Sequence, residues 1–456
     1  MTPDVPDTRP SAAAFTLALA LFLLLNGFAF NGLLWSATPE PYKETVLTHS
    51  WDVVHARSSD DSWGVMKEAL DYIAAPGAQP LYSELFFKRK LRFQYPPSSL
   101  FALSGMIKVA GPAHVRTNEF QTFAYPTMND IVGLAFLLMT AAAAAALLEI
   151  GLRRHEIDGD SAVAMAARIV IVGGFTITFY PIVKAYTLGQ IQTWINGLFA
   201  LALLAWVMGA RASSGVLIGL MCLIKPHYGL FVLWAALRRE WRFAAACVAT
   251  VAVGLSAAIA VYGWANHVDY LRVLTFLSQH GETFFPNQSV NGLLNRLMSI
   301  ADPVAYKNLL FIDGEFTPYT PWIYATTLVT SVIILAAALL RTGNTDDPDR
   351  TLDFCTMGLS ATIASPVAWE HHFGVMLPIF AVLVAATLGN RTRLLIVAAA
   401  YVLISNFIPA TNLLATTAWN VAQSYLFAAA LAVLLLLHCS RPGWQVIGFP
   451  TPKLAH

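Results

Sequence analysis

The 456-residue chain contains few charged residues: 12% are Asp, Glu, Lys or Arg, whereas 57% are hydrophobic, and the net charge is +1. It has no block of five like charges, so the sequence shows neither the basic footprint of a nucleic-acid-binding protein nor a polybasic membrane tail. The four cysteines lie inside apolar runs without metal-binding spacing, which indicates buried small hydrophobic residues. This composition is typical of a polytopic membrane protein, and we predict an all-α one.

Several catalytic motifs are also missing. The sequence has no GxSxG, no P-loop, no GxGxxG and no Cys/His nucleophile arrangement. The sequence therefore gives no support for a serine hydrolase, an ATPase or a dinucleotide-dependent enzyme. No internal repeat is apparent, which counts mildly against transporters built on inverted repeats.

Long apolar runs make up most of the chain. About 20 apolar residues cross a bilayer core, and this rule predicts ten spans that begin near Ala12, Ile131, Ala162, Thr193, Phe243, Tyr319, Thr351, Phe373, Leu394 and Ala418. Two further passages, 98–110 and 215–237, are too short or too interrupted for simple spans. The second has Lys225-Pro226-His227 at its middle, which predicts two half-helices meeting at a polar elbow inside a cavity. We predict 10 to 13 transmembrane or re-entrant helices in one membrane domain, residues 1–456.

The short loops at one set of span ends are rich in arginine, which the positive-inside rule makes cytoplasmic. Two long passages, 36–97 and 264–318, then lie outside the cytoplasm. Loops of such length are usually functional, and both contain amphipathic, aromatic-bearing stretches suited to the headgroup layer. We expect a multi-pass plasma-membrane or inner-membrane protein whose active site is on the extracytoplasmic face.

Polar residues that can carry chemistry are predicted at this outer face. Asp60 and Asp61 stand side by side before an amphipathic stretch, and only one carboxylate is needed to cap a helix. With Ser62 starting that helix, Asp60 is the better-placed cap, and Asp61 is available as a general base. Lys225 is an ionisable residue in an apolar hairpin, which indicates a functional cavity; the alternative is snorkelling to the interface.

His371 and His372 are a second candidate pair. Adjacent histidines without HExxH-type spacing are poor metal ligands, so no metal site is expected there. Imidazole groups that hydrogen-bond an anionic oxygen fit the pattern better, and Glu370 would then orient one of them.

An ordered set of motifs runs through the chain. It comprises Asp61-Ser-Trp-Gly, Tyr95-Pro96-Pro97, Leu188-Gly189-Gln190, Lys225-Pro226, the NQSVNGLL run from Asn287 and the SPVAWEHH run from Ser365. From about residue 61 to about residue 378 this set resembles glycosyltransferase family 87, the DUF2029 proteins. Single pieces such as Tyr-Pro-Pro are common in proteins, whereas the ordered set is specific.

The resemblance implies a GT-C-like bundle that takes a hexosyl (mannosyl-like) or pentosyl group from a polyprenyl-phosphate donor. The sugar goes to a lipid or glycan acceptor outside the cytoplasm by inverting, direct displacement, with no metal or other cofactor. The resemblance places the general base on Asp61, with Asp60 as the competing choice. From their residue types, we expect Lys225, His371 and His372 to supply the cations that hold the donor phosphate. The residues expected to contact substrate are Tyr95, Gln190, His227, Asn287, Gln288 and Glu370. A lipid or solute transporter that uses the Lys225 elbow is the alternative.

Overall fold

The computed structural model describes residues 11–38, 43–77, 80–118, 120–153, 161–299, 316–341 and 350–439. Within these ranges the chain is helical without a β-strand, and the one isolated bridge pairs Asn287 with Trp369. The predicted all-α class is confirmed. The helices are α1 (Ala12–Ala37), α2 (Val46–Val54), α3 (Asp61–Ala74), α4 (Leu100–Ala110), α5 (Met128–Arg153), α6 (Ala162–Ile177), α7 (Tyr180–Thr187), α8 (Gln192–Val207), α9 (Arg211–Cys222), α10 (Leu230–Leu237), α11 (Trp241–Tyr262), α12 (Trp264–His280), α13 (Val290–Ser299), α14 (Pro321–Leu340), α15 (Thr351–Ile363), α16 (Met376–Thr387), α17 (Arg391–Ser405) and α18 (Tyr425–His438).

Six helical stretches of the described chain are long and apolar enough to cross a membrane: Ala12–Ala37, Met128–Arg153, Trp241–Tyr262, Pro321–Leu340, Glu370–Thr387 and Asn420–His438. A seventh is obtained if α6 and α7, which meet at a 59° bend, form one broken span. This confirms a polytopic membrane protein. The other three predicted spans, near Thr193, Thr351 and Leu394, are shorter helices: α8 has 16 residues, α15 has 13 and α17 has 15.

Both passages that were too short or too interrupted for simple spans form short helices, as predicted. Helix α4 has 11 residues, about 16 Å at 1.5 Å per residue, which is too short to cross the bilayer core. The chain breaks after α9, Lys225 is extended at φ −132° and ψ 96°, and Pro226 opens a 3₁₀ turn into α10. Proline disfavours a helical conformation in the residue before it, so Lys225 stands at the junction of two half-helices.

The two long passages contact each other. The backbone N–H of Leu81 donates to Asn266 Oδ1 at 2.8 Å, and the N–H of Ser83 donates to Asp269 Oδ2 at 2.6 Å. The ring of Tyr82 packs against Tyr270, with centroids 5.3 Å apart. The described parts of 36–97 and 264–318 therefore lie at the same end of the bundle.

Arginine-bearing loops meet at the other end of α11. Arg238 forms an ion pair with Asp353. The Glu240 carboxylate forms ion pairs with Arg350 at 3.4 Å and with Arg211 at 3.5 Å. Since α11 starts beside this cluster and runs for 22 residues, about 33 Å, the cluster and the long passages are separated by the thickness of a membrane.

Labelling of introduced cysteines tests this arrangement. In a Cys439→Ser background, which removes the exposed native thiol, we expect an impermeant thiol reagent to label Ala75→Cys from outside intact cells. Arg242→Cys should react only after the membrane is permeabilised, because arginine-rich loops are retained in the cytoplasm. Both positions are exposed. Labelling of both variants in intact cells would contradict the predicted topology.

Candidate active site

The two adjacent acids lie at the start of α3. Asp61 is its first residue and Asp60 is the N-cap, as predicted, but the Asp60 side chain makes no capping hydrogen bond. Instead, the carbonyl groups of Leu188 and Gly189 accept from the backbone N–H groups of Asp61 at 3.0 Å and Ser62 at 3.3 Å. These N–H groups would otherwise be unpaired at a helix N-terminus. The predicted capping bond from Asp60 is therefore wrong, because a distant turn takes its place.

Gly189 allows this close approach. It has φ +66°, and a Cβ at this position would lie 2.0 Å from the carbonyl oxygen of Ser59. A side chain is excluded both by this contact and by the left-handed backbone. The close packing of this turn against Ser59 therefore explains why the Leu188-Gly189-Gln190 motif has glycine at position 189.

Gln190 connects this turn to the acid. Its Nε2 donates to Asp61 Oδ2, while its Oε1 accepts from Ser62 Oγ at 2.9 Å and from Tyr95 OH at 2.8 Å. Because the amide oxygen is committed to two hydroxyl groups, the NH₂ group is directed at the carboxylate. The structure therefore brings Asp61, Gln190 and Tyr95 together, three residues that are far apart in the sequence.

The Asp61 carboxyl is accessible, yet protein surrounds it on most sides. Burial raises the pKa of Asp61; the Gln190 hydrogen bond and the charge of Lys184 oppose this rise, and the Asp60 carboxylate adds to it. A raised pKa makes a carboxylate a stronger proton acceptor in its ionised form. This is the environment that a general base requires.

Lys225 lies beside two neutral partners. Its Nζ donates to Gln192 Oε1 at 2.6 Å and to His372 Nε2 at 2.6 Å. Among the described residues it has no carboxylate partner. A partly buried ammonium group without a counter-ion favours the binding of an anion.

The two histidines extend this cluster. The rings of His371 and His372 are 4.9 Å apart and nearly perpendicular, at 84°. His371 is buried, and its Nε2 has no hydrogen-bond partner among the described groups. Since His372 Nε2 accepts from Lys225, its ring proton is placed on Nδ1. His227 lies near Lys225 and His372, with its ring against Tyr228.

A single short segment joins the acid and the cation. Gln190 holds Asp61, and Gln192, two residues later, holds Lys225. Two residues span at most about 7 Å between Cα atoms. The Asp61 carboxylate and the Lys225 ammonium group are thus each bound by a glutamine side chain at the start of α8.

Asn287 and Gln288 act as connectors in the structure. Asn287 Nδ2 donates to the Glu282 carbonyl at 2.8 Å, and its Oδ1 accepts from the Ala368 N–H at 2.9 Å. Gln288 Nε2 donates to the Gln423 carbonyl at 2.8 Å, and its Oε1 accepts from the N–H of residue 427 at 3.1 Å. The Asn287 bond to Ala368 joins the NQSVNGLL and SPVAWEHH motifs, and the Gln288 bonds join the first motif to the start of α18. Each amide oxygen keeps a second lone pair, and the predicted substrate contact of Asn287 and Gln288 stays a prediction.

Glu370 is buried and does not contact Lys225. Its Oε2 accepts from Tyr180 OH at 3.2 Å, and its backbone N–H donates to the Pro286 carbonyl at 2.9 Å. Both contacts fix the start of the turn that carries His371 and His372. Among the described residues, no group of three His, Cys, Asp or Glu side chains could hold a metal ion.

The sequence reasoning missed a charged cluster next to this site. Glu44 Oε1 accepts from His49 Nε2 at 2.6 Å and from Lys184 Nζ at 2.7 Å, and Thr187 Oγ1 lies 2.7 Å from His49 Nδ1. Burial alone would raise the pKa of Glu44, but the His49 hydrogen bond and Lys184 overcome it and lower the pKa to about 2. The available signal was Lys184, an ionisable residue in an apolar stretch.

The family comparison decides the classification. The model of glycosyltransferase family 87 matches residues 93–366, more than half of the chain. The chain belongs to glycosyltransferase family 87. The matched range contains six of the predicted site residues: Tyr95, Gln190, Lys225, His227, Asn287 and Gln288. Asp60, Asp61, Glu370, His371 and His372 lie outside it.

Two curated relatives of this family 87 chain are similar over part of their length. Both are named polyprenol-phosphate-mannose-dependent alpha-(1-2)-phosphatidylinositol mannoside mannosyltransferase. The protein from Mycobacterium tuberculosis is 28% identical over 226 residues, 49% of this chain and 48% of the relative. That from Mycolicibacterium smegmatis is 28% identical over 184 residues, 39% of this chain and 38% of the relative. The chain spans less than half the length of the curated relatives it matches.

Proposed function

We propose that the protein is a membrane glycosyltransferase that moves a hexosyl or pentosyl group from a polyprenyl-phosphate donor to a lipid or glycan acceptor. The reaction takes place on the extracytoplasmic face. Family membership and the names of the two relatives support this class of donor and favour a mannosyl group. The relatives' acceptor, a phosphatidylinositol mannoside, makes a glycosylated lipid the first acceptor to test.

The observation that carries the proposal is the pairing of Asp61 with Gln190 and of Lys225 with Gln192. A direct displacement needs a base on one side of the anomeric carbon and a stabilised leaving group on the other. Here the base and the cation come from distant parts of the chain, and each is bound by a glutamine at the entry to α8.

The proposed step is a single substitution at the anomeric carbon. The acceptor hydroxyl oxygen bonds to that carbon while its proton passes to Asp61. The bond from the anomeric carbon to the phosphate oxygen breaks, and its electron pair stays on the polyprenyl phosphate, which leaves as a dianion. Lys225, His371 and His372 donate to this phosphate, and preorganised donors stabilise the charge that develops there. The configuration at the anomeric carbon is inverted.

A transfer assay tests the proposed function. Purified protein in liposomes should move label from radiolabelled polyprenyl-phosphate mannose to a phosphatidylinositol mannoside acceptor, and a panel of other polyprenyl-phosphate sugars identifies the preferred donor. Equal rates with and without EDTA are expected, because the adjacent acids and histidines lack metal-ligand spacing. Loss of activity in EDTA that magnesium restores would contradict the metal-free step. Movement of a lipid or solute across the bilayer without transfer of sugar would favour the transporter alternative.

A further inference from the structure

The cluster of Glu44, His49 and Thr187 has no role in the step described above. We infer that His49 is a positioning residue for the general base: through Thr187 it holds the turn 187–190, which caps α3 and carries Gln190. The inference rests on the proposed function, since it takes Asp61 as the base.

The hydrogen bonds of His49 have a defined direction. An ionised carboxylate can only accept hydrogen bonds. Glu44 Oε1 therefore accepts from His49 Nε2, at 2.6 Å. Nδ1 then carries the lone pair of a neutral ring and accepts from the Thr187 hydroxyl at 2.7 Å. Burial lowers the pKa of His49, although Glu44 opposes the change. The neutral ring that can accept from Thr187 is therefore favoured at neutral pH.

The turn 187–190 is hydrogen-bonded to the segment that begins α3, so the position of the turn affects the position of Asp61. The carbonyl group of Thr187 accepts from the Ser59 N–H at 2.8 Å, and that of Leu188 accepts from the Asp61 N–H at 3.0 Å. Gly189 and Gln190 then contribute the Ser62 contact and the side-chain bond to Asp61. Four consecutive residues thus each bond to the segment that bears the base. A shift of the turn displaces all four contacts at once.

Helix α2 is attached to its neighbours at a second point, which supplies a control. Ser50 Oγ donates to the Ile177 carbonyl at 2.5 Å, at the end of α6. This bond holds α2 in place but does not reach the turn 187–190. Loss of the Ser50 bond therefore mimics the structural cost of the His49 contact without its proposed effect on Asp61.

The test compares Thr187→Val with Thr187→Ser in the full-length protein. Valine has the shape of threonine without its hydroxyl, so the fold should be kept while the bond to His49 and the longer one to the Lys184 carbonyl at 3.4 Å are lost. We expect kcat to fall on the order of 10-fold or more, because small misplacements of reacting groups are costly. The KM for the donor should stay within about 2-fold, and Thr187→Ser should retain most of the wild-type rate.

The pH profile distinguishes positioning from a general loss of structure. The Gln190 hydrogen bond lowers the pKa of Asp61, so its loss in Thr187→Val raises that pKa. The base must be ionised, so activity falls as the pH drops through this pKa, and the acid limb should move to higher pH. Ser50→Ala should leave the acid limb unchanged.

Two results would overturn the inference: wild-type kcat in Thr187→Val, or a lower kcat whose acid limb does not move. His49→Asn, whose side-chain oxygen can replace Nδ1 as an acceptor, should lose less activity than His49→Leu; equal losses would also count against it. The proposed function fails separately, if Asp61→Asn keeps the wild-type rate. An inactive Asp61→Asn together with a normal Thr187→Val would refute only the positioning role.

Discussion

Replacing Asp61 by asparagine should slow sugar transfer by on the order of 10²-fold or more, within the range for removing a general base. Asparagine keeps the size of the side chain and can accept a hydrogen bond from Gln190, but it cannot take the proton of the acceptor hydroxyl. We therefore expect the KM for the donor to change little while kcat falls, which is the pattern for an interaction made only in the transition state. Initial rates with saturating donor and acceptor measure this effect.

Two matched variants separate catalysis from helix stability. Asp71→Asn changes an exposed carboxylate on the same helix, which pairs with Lys67 at 2.5 Å, and should leave kcat unchanged. Asp60→Asn should also retain most of the activity and change the free energy of unfolding by less than about 0.5 kcal/mol, because Asp60 makes no capping hydrogen bond. An inactive Asp60→Asn beside an active Asp61→Asn would exchange the two assignments.

Replacing Lys225 by alanine should also lower kcat on the order of 10²-fold, the cost of removing one group that stabilises developing charge. The ammonium group has only Gln192 and His372 as described partners, so its charge is available to the leaving phosphate. Lys225→Met, which keeps the length of the chain without the charge, should lose as much as alanine. Lys225→Arg should retain more activity than either.

Lys108→Ala supplies a matched control. Lys108 is an exposed lysine near the end of α4, and α4 belongs to the other apolar passage that is too short for a simple span. Its removal should leave kcat and the KM for the donor unchanged. Wild-type turnover in Lys225→Ala would refute the phosphate-binding role, whereas equal losses in both lysine variants would indicate a general effect on the membrane domain.

The helical plan of the chain could be predicted because its signals are local. Apolar runs place the start of a helix at or near each of the ten predicted positions, and Pro226 marks the break beside Lys225. The capping of α3 could not be predicted, because its partners at Leu188 and Gly189 are more than 120 residues away. A nearby aspartate is the usual cap, and only the fold shows that backbone carbonyl groups replace it.

The residues of the candidate site likewise fall into those that the sequence could indicate and those that it could not. Asp61, Lys225 and His372 could be proposed from the sequence, Lys225 because an ionisable residue is rare in an apolar hairpin and Asp61 because two adjacent acids precede a helix; their roles stay predictions. The functions of Asn287 and Gln288 could not be assigned, since the same motif can bind a substrate or join two loops. His49 was missed because a single histidine in a long loop has no local signal. The role inferred for His49 depends on its contact with Thr187, which lies 138 residues later in the sequence.

The most direct test of the central claim is a structure of the protein with a polyprenyl-phosphonate analogue of the donor sugar, which cannot be cleaved. We predict that the phosphonate oxygens lie within hydrogen-bond distance of Lys225 Nζ and of at least one of His371 and His372. The anomeric carbon should then lie between the phosphonate and the Asp61 carboxylate, with space for an acceptor hydroxyl beside Asp61. A phosphonate bound away from Lys225, or a sugar whose anomeric carbon faces away from Asp61, would contradict the account.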